Sequence, residues 1–132
     1  MSDGVIIGFD FGEKRIGVAL GNTLTRQASP HRIIDSRTVQ SRWDGINALV
    51  KEWSPVAFVV GIPRHPDGQP HEMTNRCERF ARQLEGRFHL PVNRIDERYS
   101  SAVVDSDADF IDDEAACIIL QQFFNESAFV AL

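Results

Sequence analysis

The stretch Val5-Ile6-Ile7-Gly8-Phe9-Asp10-Phe11-Gly12-Glu13-Lys14-Arg15-Ile16-Gly17-Val18-Ala19-Leu20 decides the fold. Val5 to Asp10 reads as a buried strand that ends in a carboxylate. Phe11 to Lys14 reads as a turn, and Arg15 to Leu20 alternates as a second strand. The chain therefore opens with a hairpin, and a third strand is expected near Ser29–Ile34. The period then changes. Val39, Trp43, Ile46, Leu49, Val50 and Trp53 fall at helical spacing, and Ser54-Pro55 stops that helix. Val56 to Ile62 is a continuous apolar run, as expected of a central parallel strand. Pro63 to Pro70 reads as a polar loop. Met73, Cys77, Phe80, Leu84 and Phe88 mark one face of a second helix. Pro91 to Ile95 reads as a short strand running into Asp96-Glu97-Arg98. A last helix is expected from Asp112, with Ala116, Ile119 and Phe123 turned inward.

A hairpin-led start followed by alternating strands and helices gives a three-layer α/β sandwich with a mixed sheet. The 132 residues suit one domain, and 42% hydrophobic residues are enough for a core. The two cysteines, Cys77 and Cys117, fall on apolar helix positions and suit a reducing compartment. Neither a signal peptide nor a membrane span is apparent, so the expected location is the cytoplasm, away from membranes.

In such sheets, sites form at the carboxyl ends of strands. Asp10 lies there, with Gly12 two residues on. The acid is either a turn former or a metal ligand beside backbone that a phosphate can approach. Glu97 follows another strand; an acid there is either a solvated loop residue or a ligand. Asp112 and Asp113 either cap the last helix or add a third carboxylate. Acids after two strands and at a helix start can converge on one sheet edge. Hard oxygen ligands of this kind suit one or two Mg²⁺ or Mn²⁺ ions. Such ions support phosphodiester hydrolysis.

Net charge is −5, which argues at first against a nucleic-acid partner. The charge is segregated, however. All 14 Lys and Arg residues lie in residues 1–98, and residues 99–132 carry seven acids. Lys14, Arg15, Arg64 and Arg98 are placed near the proposed edge, where they could contact a nucleic-acid backbone. Arg76, Arg79 and Arg82 lie at i, i+3 and i+6 on the second helix, as a solvated face or a phosphate-tracking ridge. Tyr99 could stack on a base or simply pack. The histidines, His65 and His71 of the Pro/Gly loop among them, show no zinc spacing with the cysteines. No serine nucleophile elbow or Walker loop is present.

Read together, these stretches resemble the YqgF/RuvX family of pre-16S rRNA nucleases and Holliday-junction resolvases. The resemblance rests on Gly8 to Ala19, Val60-Gly61-Ile62-Pro63, Asp67-Gly68, Phe80-Ala81 with Leu84, Asp96 to Ser100, and Asp112 to Gln121. It implies a ribonuclease H-like fold with a mixed five-stranded sheet flanked by helices, over residues 1–132. It also implies a catalytic, metal-binding acid set of Asp10, Glu97 and Asp112. Asp112 is favoured over Asp113 because the family's acid stands eight residues before the leucine that is Leu120 here. Gly12, Lys14 and Arg15 match the turn and basic pair that follow the first acid.

The implied function is a metal-dependent nuclease that processes the 5′ end of precursor 16S rRNA in ribosome biogenesis. Resolution of branched DNA and a non-catalytic role in ribosome assembly are the alternatives. The Asp-x-Gly turn also resembles the phosphate loop of the acetate kinase and hexokinase superfamily, but those enzymes need two lobes. Precursor rRNA is the favoured partner and the chain is expected to be a monomer or weak homodimer. The segment Tyr99 to Ile111, with Asp105, Asp107 and Asp109, is shorter than is usual in the family, and it bears on substrate preference and dimer contact.

Overall fold

The computed structural model describes residues 4–65, 67–69, 72–98 and 112–130, with the side chains of residues 98, 112 and 127–130 outside the described set. The elements are β1 (Val5–Asp10), β2 (Arg15–Asn22), β3 (Gln27–Asp35), α1 (Val39–Trp53), β4 (Ala57–Arg64), α2 (Thr74–Phe88), β5 (Val92–Arg98) and α3 (Asp112–Val130). The five strands stand in the order β3-β2-β1-β4-β5. β1, β2 and β3 pair antiparallel, while β4 runs parallel to both β1 and β5. The mixed sheet expected from the sequence is the one observed.

Local chemistry sets the boundaries. Thr38 caps α1 by accepting the Ser41 N–H at 3.0 Å. Ser54 ends α1 in the left-handed region at φ 45°, and its N–H reaches the Val50 carbonyl. His89 ends α2 in the same way at φ 57°. Pro30 is tolerated because β3 is an edge strand, and the β2–β3 register shifts beside it.

Two apolar layers sandwich the sheet. α1 and α2 cover one face with Trp43, Ile46, Leu49, Cys77, Phe80 and Leu84 against Ile7, Phe9, Phe58 and Val60. α3 covers the other face with Ala116, Ile119, Leu120 and Phe124 against Ile6, Ala19, Val59 and Ile95. α3 lies close because glycines face it. A Cβ on Gly8 would stand 2.9 Å from Leu120 Cβ and 3.4 Å from the Ala116 carbonyl oxygen. One on Gly21 would strike the Phe124 ring. Gln121 fastens the helix to the edge strand: its Oε1 accepts the Ala28 N–H at 3.0 Å and its Nε2 donates to the Arg26 carbonyl at 3.0 Å.

The expectations need three corrections. β4 continues through Pro63 and Arg64 rather than giving way to a loop, because it keeps its pairing with β5 up to Arg64. The registered β1 pairing stops at Val60, so one side of β4 is open where proline stands. Phe124, at 3% exposure, is the deeply buried aromatic of α3, while Phe123 is half-buried. Residues at 116, 120 and 124 form the i+4 row that meets the sheet. Glu97 lies within β5, and Asp112 and Asp113 lie within α3, rather than in flanking loops.

The seat of α3 can be tested by denaturant unfolding. Leu120→Ala should cost about 2–5 kcal/mol. Gly8→Val should cost about 1–3 kcal/mol by overpacking. The double variant should lose clearly less than the two together. Additivity within about 0.5 kcal/mol would mean that the two positions are not in contact.

Candidate active site

The site begins with alternation along the strands. Ile6 packs toward α3, so Gly8 and Asp10 share that face. Ile95 packs toward α3 as well, which puts Glu97 on the same side. Between them lies β4, where the residue facing α3 is Gly61. A Cβ there would stand 3.0 Å from Glu97 Oε2 and 2.6 Å from Ile119 Cδ1. The missing side chain makes room for the Glu97 carboxyl to lie over β4 on the Asp10 side of the sheet. Asp10 and Glu97, two of the three acids singled out by the sequence, are thus brought together at the carboxyl ends of β1 and β5.

The pair is electrostatically strained. Burial pushes the Glu97 carboxyl up to about 8, and the negative charge of Asp10 adds to the effect. The same field reaches Cys77 on α2. Its thiol is pushed up to about 12 by burial first, then by Asp10, Glu97 and Glu78. Cys77 is therefore a buried, unreactive thiol rather than a nucleophile. Two carboxyls so placed can share a proton or hold a cation.

The turn after β1 is tight. A Cβ on Gly12 would stand 2.5 Å from the Arg15 carbonyl oxygen, so only glycine fits without moving backbone. Lys14 and Arg15 are exposed at this rim. The Lys14 carbonyl accepts the Ser36 N–H at 2.9 Å, which ties the turn to the end of β3. Arg64 belongs to the other face. It shares the side of Ile62, toward α2, and its Nε donates to Asp96 Oδ1 at 3.1 Å. Arg64 is therefore at the carboxyl edge but across the sheet from the acid pair.

Arg98 is the last residue of β5 and Asp112 the first of α3, and both side chains lie outside the described set. Tyr99, His71 and the Asp105–Asp109 stretch also lie outside the described residues. Among the described residues no three His, Cys, Asp or Glu side chains form a metal-ligand cluster. α3 runs from Asp112 past Ala116 and Leu120 over Gly8, so its first turn lies toward the Asp10 end of β1. In that turn Asp113 Oδ1 is buried and has no hydrogen-bond partner among the described residues.

The sequence motifs contain Gly61 and Asp96 but assign neither a role of its own. A glycine inside an otherwise apolar central strand is a signal of close approach, and it could have been read. The Arg64–Asp96 pairing depends on strand register and has no local signature.

A family model described as "RuvX: Holliday junction resolvase" matches residues 4–126. A protein of Paraburkholderia phytofirmans named "Putative pre-16S rRNA nuclease" is 50% identical over 130 residues, covering 93% of this chain and 89% of that one. One of the same name from Ralstonia nicotianae is 54% identical over 127 residues, covering 94% and 88%. Among solved structures, RuvC of T. thermophilus in complex with a Holliday junction substrate aligns at a TM-score of 0.54 and 13% identity, covering 95% of this chain and 96% of that one. At that identity the likeness is one of fold, and the fold is ribonuclease H-like.

The burial of Glu97 has a measurable consequence. In the folded chain its carboxyl keeps its proton to about pH 8, against an ordinary value of 4.5. The folded state therefore binds more protons between those values, and stability falls as pH rises through that window. In chelator-containing buffer, Glu97→Gln should gain stability relative to the parent at pH 9, by up to a few kcal/mol, and lose that advantage at pH 4. Equal differences at both pH values, by urea unfolding, would contradict the burial.

Proposed function

This chain belongs to the RuvX family, and on that premise we propose that it is a metal-dependent nuclease processing the 5′ end of precursor 16S rRNA. The observation that carries the reading is the convergence of Asp10 and Glu97 over Gly61 at one sheet edge.

The donor set fits a divalent cation. Two carboxyls share a partly desolvated face, and the charge of one opposes ionisation of the other. A hard cation removes that conflict by letting both ionise. Asp10 and Glu97 would hold Mg²⁺ or Mn²⁺, with Asp112 at the start of α3 as the third ligand. One or two such ions supply charge neutralisation at the phosphodiester and a readily ionised water.

The remaining work belongs to the chain's own groups. The sheet holds Asp10 and Glu97 on two rigid strands separated only by β4, so the two carboxyls would arrive pre-positioned. Gly12 keeps the turn after β1 low enough for a phosphate to approach the backbone. Lys14 and Arg15 stand at the rim where phosphates on either side of the scissile one would pass. Arg98, the last residue of β5, would add a further phosphate contact. Ile119 and the Glu97 carboxyl both crowd the space above Gly61, so a side chain there would disturb them both.

Precursor rRNA is favoured over branched DNA by the names of the relatives that share half of this sequence. The proposed location is the cytoplasm; among the described residues no helix is long and apolar enough to cross a membrane. The chain is proposed to act as a monomer or weak homodimer.

The decisive experiment incubates the protein with precursor 16S rRNA and with a four-way DNA junction, in Mg²⁺, Mn²⁺ or EDTA. Cleavage of the RNA should require the cation. Asp10→Asn should lower it by at least about a hundredfold, the upper range for losing even an outer-shell partner of a metal site. Equal cleavage by parent and variant would refute the acidic site. Cleavage of the junction alone would replace RNA by DNA as substrate.

A further inference from the structure

We propose that the outward face of α2 is a track for the phosphate backbone of structured RNA, with Arg79 and Arg82 as its contacts and Arg76 as its link to the acidic edge. The inference rests on the nuclease reading above and adds where the substrate lies beyond the scissile bond.

The charges of α2 are engaged unequally. The helix carries Arg76, Arg79, Arg82 and Arg87 against Glu78 and Glu85. Both glutamates stand on the β5 flank and are committed to Arg94. Arg94 Nε meets Glu78 Oε1 at 2.8 Å, and its Nη1 meets Glu85 Oε2 at 3.2 Å. On the α1 flank, Arg87 lies over the Trp43 ring at 4.0 Å. Arg79 and Arg82 lie between these flanks. Both are exposed, and neither has an ion pair or side-chain hydrogen bond among the described residues. The acids of the helix are thus neutralised from the side, while two guanidiniums face water.

This face lies across the sheet from the acid pair but reaches the same carboxyl edge. Arg76, in the first turn of α2, pairs with Glu13 in the turn that follows Asp10. The Thr74 hydroxyl donates to the Pro63 carbonyl at the end of β4. Lys14 is exposed beside Glu13. A polyanion leaving the acidic edge past Lys14 therefore meets Arg76, Arg79 and Arg82 in turn. At about 1.5 Å rise per residue, the three span roughly 9 Å along the helix. Guanidiniums at that spacing suit successive phosphates better than a compact anion.

Charge complementarity also selects the side. α3, across the sheet, carries Asp112, Asp113, Glu114 and Glu126 and no basic residue, so it would repel the same backbone. Contacts of this kind set register and affinity without reading sequence.

The test is binding of a generic RNA hairpin in EDTA, followed by fluorescence anisotropy across a salt series, where cleavage cannot interfere. The Arg79→Gln/Arg82→Gln double variant should bind about tenfold more weakly near 0.1 M salt, and its log–log salt slope should be shallower by about 1.5 to 2. An Arg26→Gln/Arg32→Gln variant, with the same loss of charge at the β3 side of the sheet, should keep the parental affinity and slope. Parental binding by the α2 variant, equal weakening by both variants, or no binding by the parent would overturn the track. If the parent binds with the expected dependence yet cuts no RNA in Mg²⁺ or Mn²⁺, the nuclease reading fails while the track stands.

Discussion

Helix α3 can approach the sheet only where β1, β2 and β4 present hydrogen atoms in place of side chains. Gly8, Gly21 and Gly61 face it, and an added methyl at any of them would run into Leu120, Phe124 or Ile119. This close seat fixes much else. It sets the row of α3 residues that is buried, and Gln121 then fastens the helix to β3. It also fixes the end of the sheet at which the helix begins. Because Gly61 serves both the Ile119 contact and the space for Glu97, packing and the acidic pair share one constraint. The same atom count that brings the helix in leaves the carboxyl its place.

The acid pair shows how that packing works against local stability. Desolvation is the larger cause of the raised Glu97 carboxyl, and Asp10 adds to it. Two well-packed apolar layers tolerate that cost because Phe9, Phe58, Phe80 and Ile119 are fully buried between the sheet and its helices. In a site whose carboxyls repel one another, any cation affinity would be thermodynamically linked to fold stability. The fold supplies rigidity, and a bound cation would ease that repulsion.

Much of this was legible in the sequence because it depends on short-range pattern. The hairpin, the helix stop at Ser54-Pro55 and the apolar run of β4 follow from periodicity and from the loss of an N–H at proline. Asp10 was legible as a strand-terminal acid and Glu97 as half of an acidic pair at the end of a strand. What escaped depends on register. Placing Glu97 inside β5, and Asp96 opposite Ile62 and so within reach of Arg64 on the same face, requires knowing which β4 residue faces which β5 residue. Phe123 and Phe124 differ by 100° around α3, and the crossing of the helix on the sheet, not composition, chooses between them. Pairings such as Arg94 with Glu78 and Glu85 join residues from different elements and leave no local trace.

The net charge of −5 takes its meaning from this geometry. Charge summed over a chain says little when the sheet separates its signs. Acids gather on α3 and on the strand ends beneath its first turn, and arginines gather on α2. Within α2 the glutamates are paired off by Arg94, so the helix presents more positive surface than its composition suggests. Arg94 therefore does more than join β5 to α2. By occupying Glu78 and Glu85 it leaves Arg79 and Arg82 facing solvent, in a field that a polyanion would follow toward the rim at Lys14. An acidic protein can in this way carry a basic surface next to an acidic site, the arrangement a phosphodiester backbone and its cations would need.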